Sequence, residues 1–167
     1  MIDLRTRKYN RLPKTGQVTS YNSGDDGEHE SGLQYPVARF EQKTVDGVPI
    51  SIDHHTNLMW PVNPDGIFGV TETWADALAH VDYVNSNGGY AGFTDWRMPN
   101  VQEVLSIYDY GADWHYNLGG WYANIWTSTT YYSESTKAWQ FSFMYTSLYI
   151  TSKTNSTDYR GFMVRSL

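Results

Sequence analysis

The groups in this sequence that could do chemistry are a few closely spaced carboxylates, imidazoles and guanidinium groups. Asp109 and Asp113 form a carboxylate pair of the kind that shares acid and base roles in glycoside hydrolysis. Nothing in the sequence places them in a cleft, so a glycoside hydrolase ranks a distant third, behind a binding module and a structural subunit. Asp53 with His54 and His55, and His29 between Glu28 and Glu30, are residue types that ligate metals. Adjacent histidines on an extended strand point to opposite faces, which makes shared ligation awkward, and no metal or cofactor is expected. Asp95, Trp96 and Arg97 bring a carboxylate and a guanidinium around an indole just ahead of a helix start, which reads as a structural ion pair or loop clasp. Cysteine is absent, which removes thiolate nucleophiles, disulfides and cysteine-ligated zinc. The chain therefore reads as a non-enzyme.

Composition points to contact area instead. A chain of 167 residues is the length of one domain. Charged residues make up 18% and aromatic residues 16%, with 14 Tyr and 7 Trp, residue types that join apolar area to a polar handle. The net charge is −6, but the first 120 residues hold 8 Lys/Arg against 16 Asp/Glu, whereas the rest hold 4 against 2. That acidic balance argues against a nucleic-acid surface. No apolar run is long enough to insert in a membrane, and the N-terminus lacks the apolar stretch of a secretory signal peptide. An exported form is expected to travel within a larger particle or after removal of a signal.

The elements that must position these residues follow from pattern. Residues 1–34 read as an arm and loop for attachment or assembly, with five basic residues before Thr15 and a polar stretch from Ser20 to Gly32. Residues 35–167 form the folded domain. Strands are expected at Ala38 to Gln42, Val48 to Ile52 around an Asp46-Gly47 turn, and Leu58 to Trp60. A helix starts at the Thr73 cap, with Trp74, Ala77, Leu78, Val81 and Val84 on one face. A second starts at an Asn100/Glu103 capping box, with Val101, Val104, Leu105 and Tyr108 in phase. From Trp121 the period falls to two. Trp139, Phe141 and Phe143 alternate with Gln140, Ser142 and Met144, and Leu148, Ile150 and Ser152 with Tyr149, Thr151 and Lys153, as in a hairpin with one face buried and one displayed. Its connection, Tyr145-Thr146-Ser147, lacks the Asn-Gly chemistry that hairpin turns prefer.

Between 121 and 160 the enrichment in Tyr, Ser, Thr and Asn is that of an antibody paratope, in which rigid aromatic area is joined to adaptable hydroxyls. The same types also favour strands for ordinary reasons. Their place on the outward phase of the alternation favours binding, while Trp126 and Trp139 are assigned to packing.

Several segments occur in one order: Thr56-Asn57-Leu58-Met59-Trp60, Thr73-Trp74-Ala75-Asp76-Ala77-Leu78, Gly92-Phe93-Thr94-Asp95-Trp96-Arg97-Met98-Pro99-Asn100 with Glu103, Trp126-Thr127-Ser128-Thr129, Ala138-Trp139 and Val164-Arg165. Together they resemble the family named for the C-terminal domain of the Legionella collagen-like protein. Leu12-Pro13-Lys14-Thr15-Gly16-Gln17, whose first five residues match a sortase pentapeptide by coincidence, since no apolar span and basic tail follow, looks like the lead-in ahead of such domains. The resemblance implies an α+β, C-type-lectin-like fold, with two helices packed on a small twisted antiparallel sheet, long loops and chain ends close together. It also implies a binding module of bacterial surfaces or phages, similar to the variable proteins of diversity-generating retroelements.

Carried over by position, the scaffold would be Trp126, Ser128, Ala138, Trp139, Phe143, Val164 and Arg165. The ligand-binding, variable-type positions would be Tyr131, Tyr132, Ser133, Gln140, Ser142, Tyr145, Thr146, Tyr149, Thr151, Thr154 and Asn155. The chain departs from the family at the hairpin connection, where related sequences often carry Asn-Gly. The calcium motifs of sugar-binding C-type lectins do not occur, and the sulfatase-activating oxygenases of related fold need cysteines that this chain lacks. The expectation is a receptor-binding or adhesion protein of a virion tail or bacterial cell surface. Its partner is a cell-surface protein or glycan, its arm attaches it to a larger assembly, and the resemblance alone implies a homotrimer. The alternative is a structural subunit whose aromatic surface is buried between copies.

Overall fold

The structure is a computed structural model and describes residues 12–33, 38–108, 118–119 and 123–167. Asp109, Asp113 and the first eleven residues of the arm lie outside the described residues.

The architecture is α+β, with two antiparallel sheets. Strands β1 (Phe40–Val45), β2 (Val48–Asp53), β3 (Leu58–Pro61) and β7 (Arg165–Ser166) form the first, in the order β1-β2-β3-β7. Asp46 and Gly47, both at positive φ (49° and 82°), make the two-residue turn between β1 and β2, as their chemistry predicts. Strands β4 (Asn124–Thr130), β5 (Lys137–Ser142) and β6 (Ser147–Ser152) form the second sheet, with β5 central.

Helix α1 (Asp26–His29) is a single turn in the segment read as arm and loop. Regular structure therefore begins ahead of the expected start near Tyr35. Residues 12–33 close on themselves through a Pro13–Leu33 bridge and the N–H of Leu33 donating to Leu12 O at 2.8 Å. Asp25 caps the turn, and backbone N–H groups, that of Tyr21 foremost, hold its carboxyl down to about 2. A second short helix, α2 (Asp65–Phe68), follows Pro64.

Helix α3 (Trp74–Ser86) starts where Thr73 accepts the N–H of Asp76, and helix α4 (Val101–Ser106) carries the complete Asn100/Glu103 capping box. Along α3, Val81 and Val84 join the main hydrophobic cluster, while Trp74, Ala77 and Leu78 join a smaller one with Met98, Trp126 and Ala138. In the main cluster a run of rings links the sheets: Trp60 stacks on Phe162 at 5.6 Å, Phe162 meets Phe143 at 5.8 Å, and Phe143 meets Phe141 at 5.1 Å. Burying a ring of this size is worth about 1.5–3 kcal/mol.

The Asp95-Trp96-Arg97 run is a clasp, as its place ahead of the helix cap predicts. Asp95 takes two hydrogen bonds from Arg165, at 2.7 and 3.1 Å, and Arg97 pairs with Glu103. The Asn85 amide holds both backbone polar groups of Trp96, and the Trp96 indole donates to Tyr90 O at 2.9 Å. Gly89 lets this loop approach. Its φ is 76°, and a Cβ there would sit 1.9 Å from Phe93 O. Asp53 is engaged by Arg39, which also donates to the Ser106 and Tyr108 carbonyls at the end of α4.

Asp53 is fully buried and Arg39 nearly so, so Asp53→Asn should strand a buried cation and cost about 3–5 kcal/mol in urea unfolding. Thr146 is a β-branched residue at φ 51° in the β5–β6 turn. Thr146→Asn should raise stability by about 1 kcal/mol in the same measurement, because asparagine tolerates the left-handed region. Arg165 holds the Asp95 carboxyl below its ordinary value. At Glu103, burial pushes the carboxyl up, but hydrogen bonds from Arg97 and the Asn100 N–H outweigh it and hold it low. Depressed carboxyls contribute stability that is present above about pH 4 and lost as pH falls through their folded-state values. The unfolding midpoint should therefore drop in acid, and Arg97→Met should lower it at neutral pH and flatten the acid decline. Equal acid slopes in both proteins would contradict this.

Candidate functional site

The three-stranded sheet carries most of the sequence-predicted positions but does not present them as one surface. In its register Gln140 lies opposite Trp126 on one side and Tyr149 on the other, so these three side chains share a face. Trp139 lies opposite Ile150 on the reverse face. One buried face and one displayed face were expected, and that expectation is corrected. Phe141 and Phe143 pack into the main cluster from one face, while Trp126 and Ala138 pack against α3 from the other. Gln140 and Ser142 are consequently buried, at 3% and 1% exposure. The tyrosines assigned to display do reach solvent: Tyr145 is 67% exposed and Tyr149 44%. Trp126 is fully buried, as its packing role predicts, whereas Trp139 is half-buried, with the Tyr131 ring against it at 5.9 Å.

Apart from Gln140, Tyr149 and Thr151 within the strands, the predicted positions fall at the two ends of this sheet, about 17 Å apart along β5. At one end Tyr131, Tyr132 and Ser133 enter the β4–β5 connection, and Thr154 and Asn155 follow β6, where the N–H of Lys153 donates to Thr136 O at 2.9 Å. Tyr132 is 91% exposed and meets the Tyr131 ring at 5.0 Å. Asn155 is committed to Thr157, accepting its N–H and its hydroxyl. Thr151 is half-buried opposite Ala138. At the other end the β5–β6 turn carries Tyr145 and Thr146.

Beneath that turn is a cleft of about 180 Å³. Gln140 and Ser142 line it together with Tyr145 and Tyr149, and so do Asn124, Asp158 and Tyr159. The Ser142 hydroxyl accepts the N–H of Tyr145 at 3.3 Å, which ties the turn to the strand below. The Gln140 Oε1 is buried without a hydrogen-bond partner, at a cost of about 1–3 kcal/mol.

Asn124, Asp158 and Tyr159 were not among the predicted positions. The alternation that runs back from Trp126 puts Asn124 in phase with it, a signal that could have found it. Nothing local places Tyr159, which arrives from a later loop. Its carbonyl accepts the Glu72 N–H at 2.8 Å, its ring packs on Trp126 at 4.9 Å, and the next residue pairs with β4 through an Ile125–Arg160 bridge. The Trp126 indole donates to Glu72 O at 2.9 Å and closes the arrangement. The cleft wall is thus built on fixed backbone.

The described residues lining the cleft include no Lys, Arg or His, and its single ionisable acid is the exposed Asp158. Aromatic faces, amides and hydroxyls of this kind can bind and orient a ligand. Among the described residues no group of three or more His, Asp or Glu could hold a metal ion, and no helix is long and apolar enough to cross a membrane.

No curated protein matches the chain. A family model described as the Lcl C-terminal domain matches residues 50–165, a span running from within β2 to the start of β7 and holding both helix caps, the Asp95–Arg165 clasp and every residue of the cleft. Surface or adhesion-type domains are what that description suggests. With well over half of its length inside the match, the chain belongs to the Lcl C-terminal domain family.

Proposed function

We propose that the chain is a non-catalytic, C-type-lectin-like binding module, the receptor-binding or adhesion part of a phage tail or bacterial surface. The observation that carries this reading is the cleft under the β5–β6 turn, where exposed tyrosines stand over a buried polar floor with unused hydrogen-bonding capacity. Tyrosine supplies rigid contact area at low entropic cost. The partner is a cell-surface protein or glycan, and the N-terminal arm attaches the domain to its larger assembly.

Diversification by a retroelement is a finer part of the same proposal. It is supported by Thr146, whose strained φ is what results when a turn residue is chosen for something other than folding. A near-copy of the 3′ coding end beside a reverse transcriptase gene, differing at adenines, is the expected neighbour in the DNA. Its absence would remove this part and leave the binding module standing.

The second reading, a structural subunit of a homotrimer or larger assembly, is favoured by the opposite end of the sheet. There Tyr132 and Ile150 expose apolar area beside the half-buried Tyr131 and Trp139.

The two ends can be tested apart. Tyr145→Ala with Tyr149→Ala should abolish binding of the labelled chain to bacterial cells, scored by flow cytometry over a strain panel, with oligomeric state in sedimentation unchanged. Assembly and binding both lost in Tyr132→Ala, with binding retained in the Tyr145 and Tyr149 variant, would favour the structural reading over this one.

A further inference from the structure

We infer that the cleft under the β5–β6 turn takes one uncharged pyranose ring of a glycan, an assignment that rests on the binding-module reading and names its ligand class. The floor asks for a hydrogen-bonding edge. Gln140 is 97% enclosed by the measure of its 3% exposure, lines the cleft, and has an Oε1 without a partner. A group that brings a hydroxyl to the cleft face of this amide gives it a partner there. An aliphatic side chain of a protein ligand would fill the same space and leave the amide unpaired.

The walls ask for the opposite character. Tyr145, Tyr149 and Tyr159 offer aromatic surface with a polar tip. A pyranose has an apolar C–H face for such rings and hydroxyls around its rim for Gln140, Asn124 and Asp158. The volume of about 180 Å³ is below the roughly 300–1,000 Å³ of pockets for drug-sized ligands. One ring fits and a chain of rings must leave over the rim.

Charge selects within the sugars. With no Lys, Arg or His among the described lining residues and the Asp158 carboxylate at the rim, a sulfate, uronate or sialate would meet no cation and one repelling anion. Charges juxtaposed in this way exclude a ligand more strongly than a neutral mismatch does.

The full chain is titrated by NMR with methyl α-mannopyranoside, methyl β-galactopyranoside, methyl β-glucopyranoside and N-acetylglucosamine as neutral probes. Sialic acid and a sulfated heparin disaccharide serve as acidic ones. At least one neutral probe should shift the Tyr145 and Tyr149 ring signals. Tyr149→Ala should weaken it about tenfold, while Tyr83→Ala, exposed on α3 and outside the cleft lining, should leave it unchanged. Ring signals that no neutral probe moves, or tighter binding of an acidic probe at the same signals, overturn the assignment. A second arm uses cells that bind the chain, before and after periodate oxidation of their glycans. Binding that survives oxidation yet is lost with Tyr145→Ala sinks the sugar and keeps the binding module. Binding lost on oxidation supports both.

Discussion

The second sheet is held from both sides, and the remaining features of the molecule are arranged around that constraint. Phe141 and Phe143 are locked into rings that reach β3 through Phe162, while Trp126 and Ala138 are covered by α3 from the opposite face. A central strand buried on both faces cannot slide in register without moving two clusters at once. Its polar residues then lose the freedom to face open water. Gln140 and Ser142 become the floor of a cleft because the hairpin turn and the Tyr159 loop close over them.

Indole nitrogens do much of the remaining fastening. Trp74 donates to Thr127 O, Trp96 to Tyr90 O and Trp126 to Glu72 O, each at 2.9 Å. The first ties α3 to β4, the second closes a loop on itself and the third ties the Glu72 loop to β4, while each ring fills a cluster, which is how aromatic side chains with a polar atom serve a core. Lys153, just past β6, lies over the Trp74 ring at 3.9 Å and donates to Thr130, so this cation is committed to the scaffold. Rigidity built this way leaves the exposed tyrosines displayed on an otherwise fixed frame. It also keeps the ordering cost of binding small, since the cleft wall does not have to be assembled by the ligand.

Local chemistry was legible wherever one segment satisfies its own needs. The Thr73 cap and the Asn100/Glu103 box start the two longer helices because a side-chain oxygen three residues from an N–H is a local event. The Asp46-Gly47 turn was readable for the same reason, whereas the Asp95-Trp96-Arg97 clasp was readable from its place ahead of the helix cap although Asp95 finds its partner 70 residues away in Arg165. The short helices at Asp26–His29 and Asp65–Phe68 were not, since a single turn carries no periodicity to detect. Alternation along β5 was present in the sequence but misled. Period two tells which residues share a face and says nothing of whether something covers the other one.

By itself, the sequence determined the strands, the helix starts, the family motifs and which residue types would gather near the C-terminus. Only the tertiary structure decided that those residues divide between two ends of one sheet, and that Gln140 sits unpaired beneath Tyr145 and Tyr149. It also decided that Asn124, Asp158 and Tyr159 complete the same cleft. The reason is that burial and pairing across long chain separations depend on what packs from outside the segment, and no local spacing encodes that.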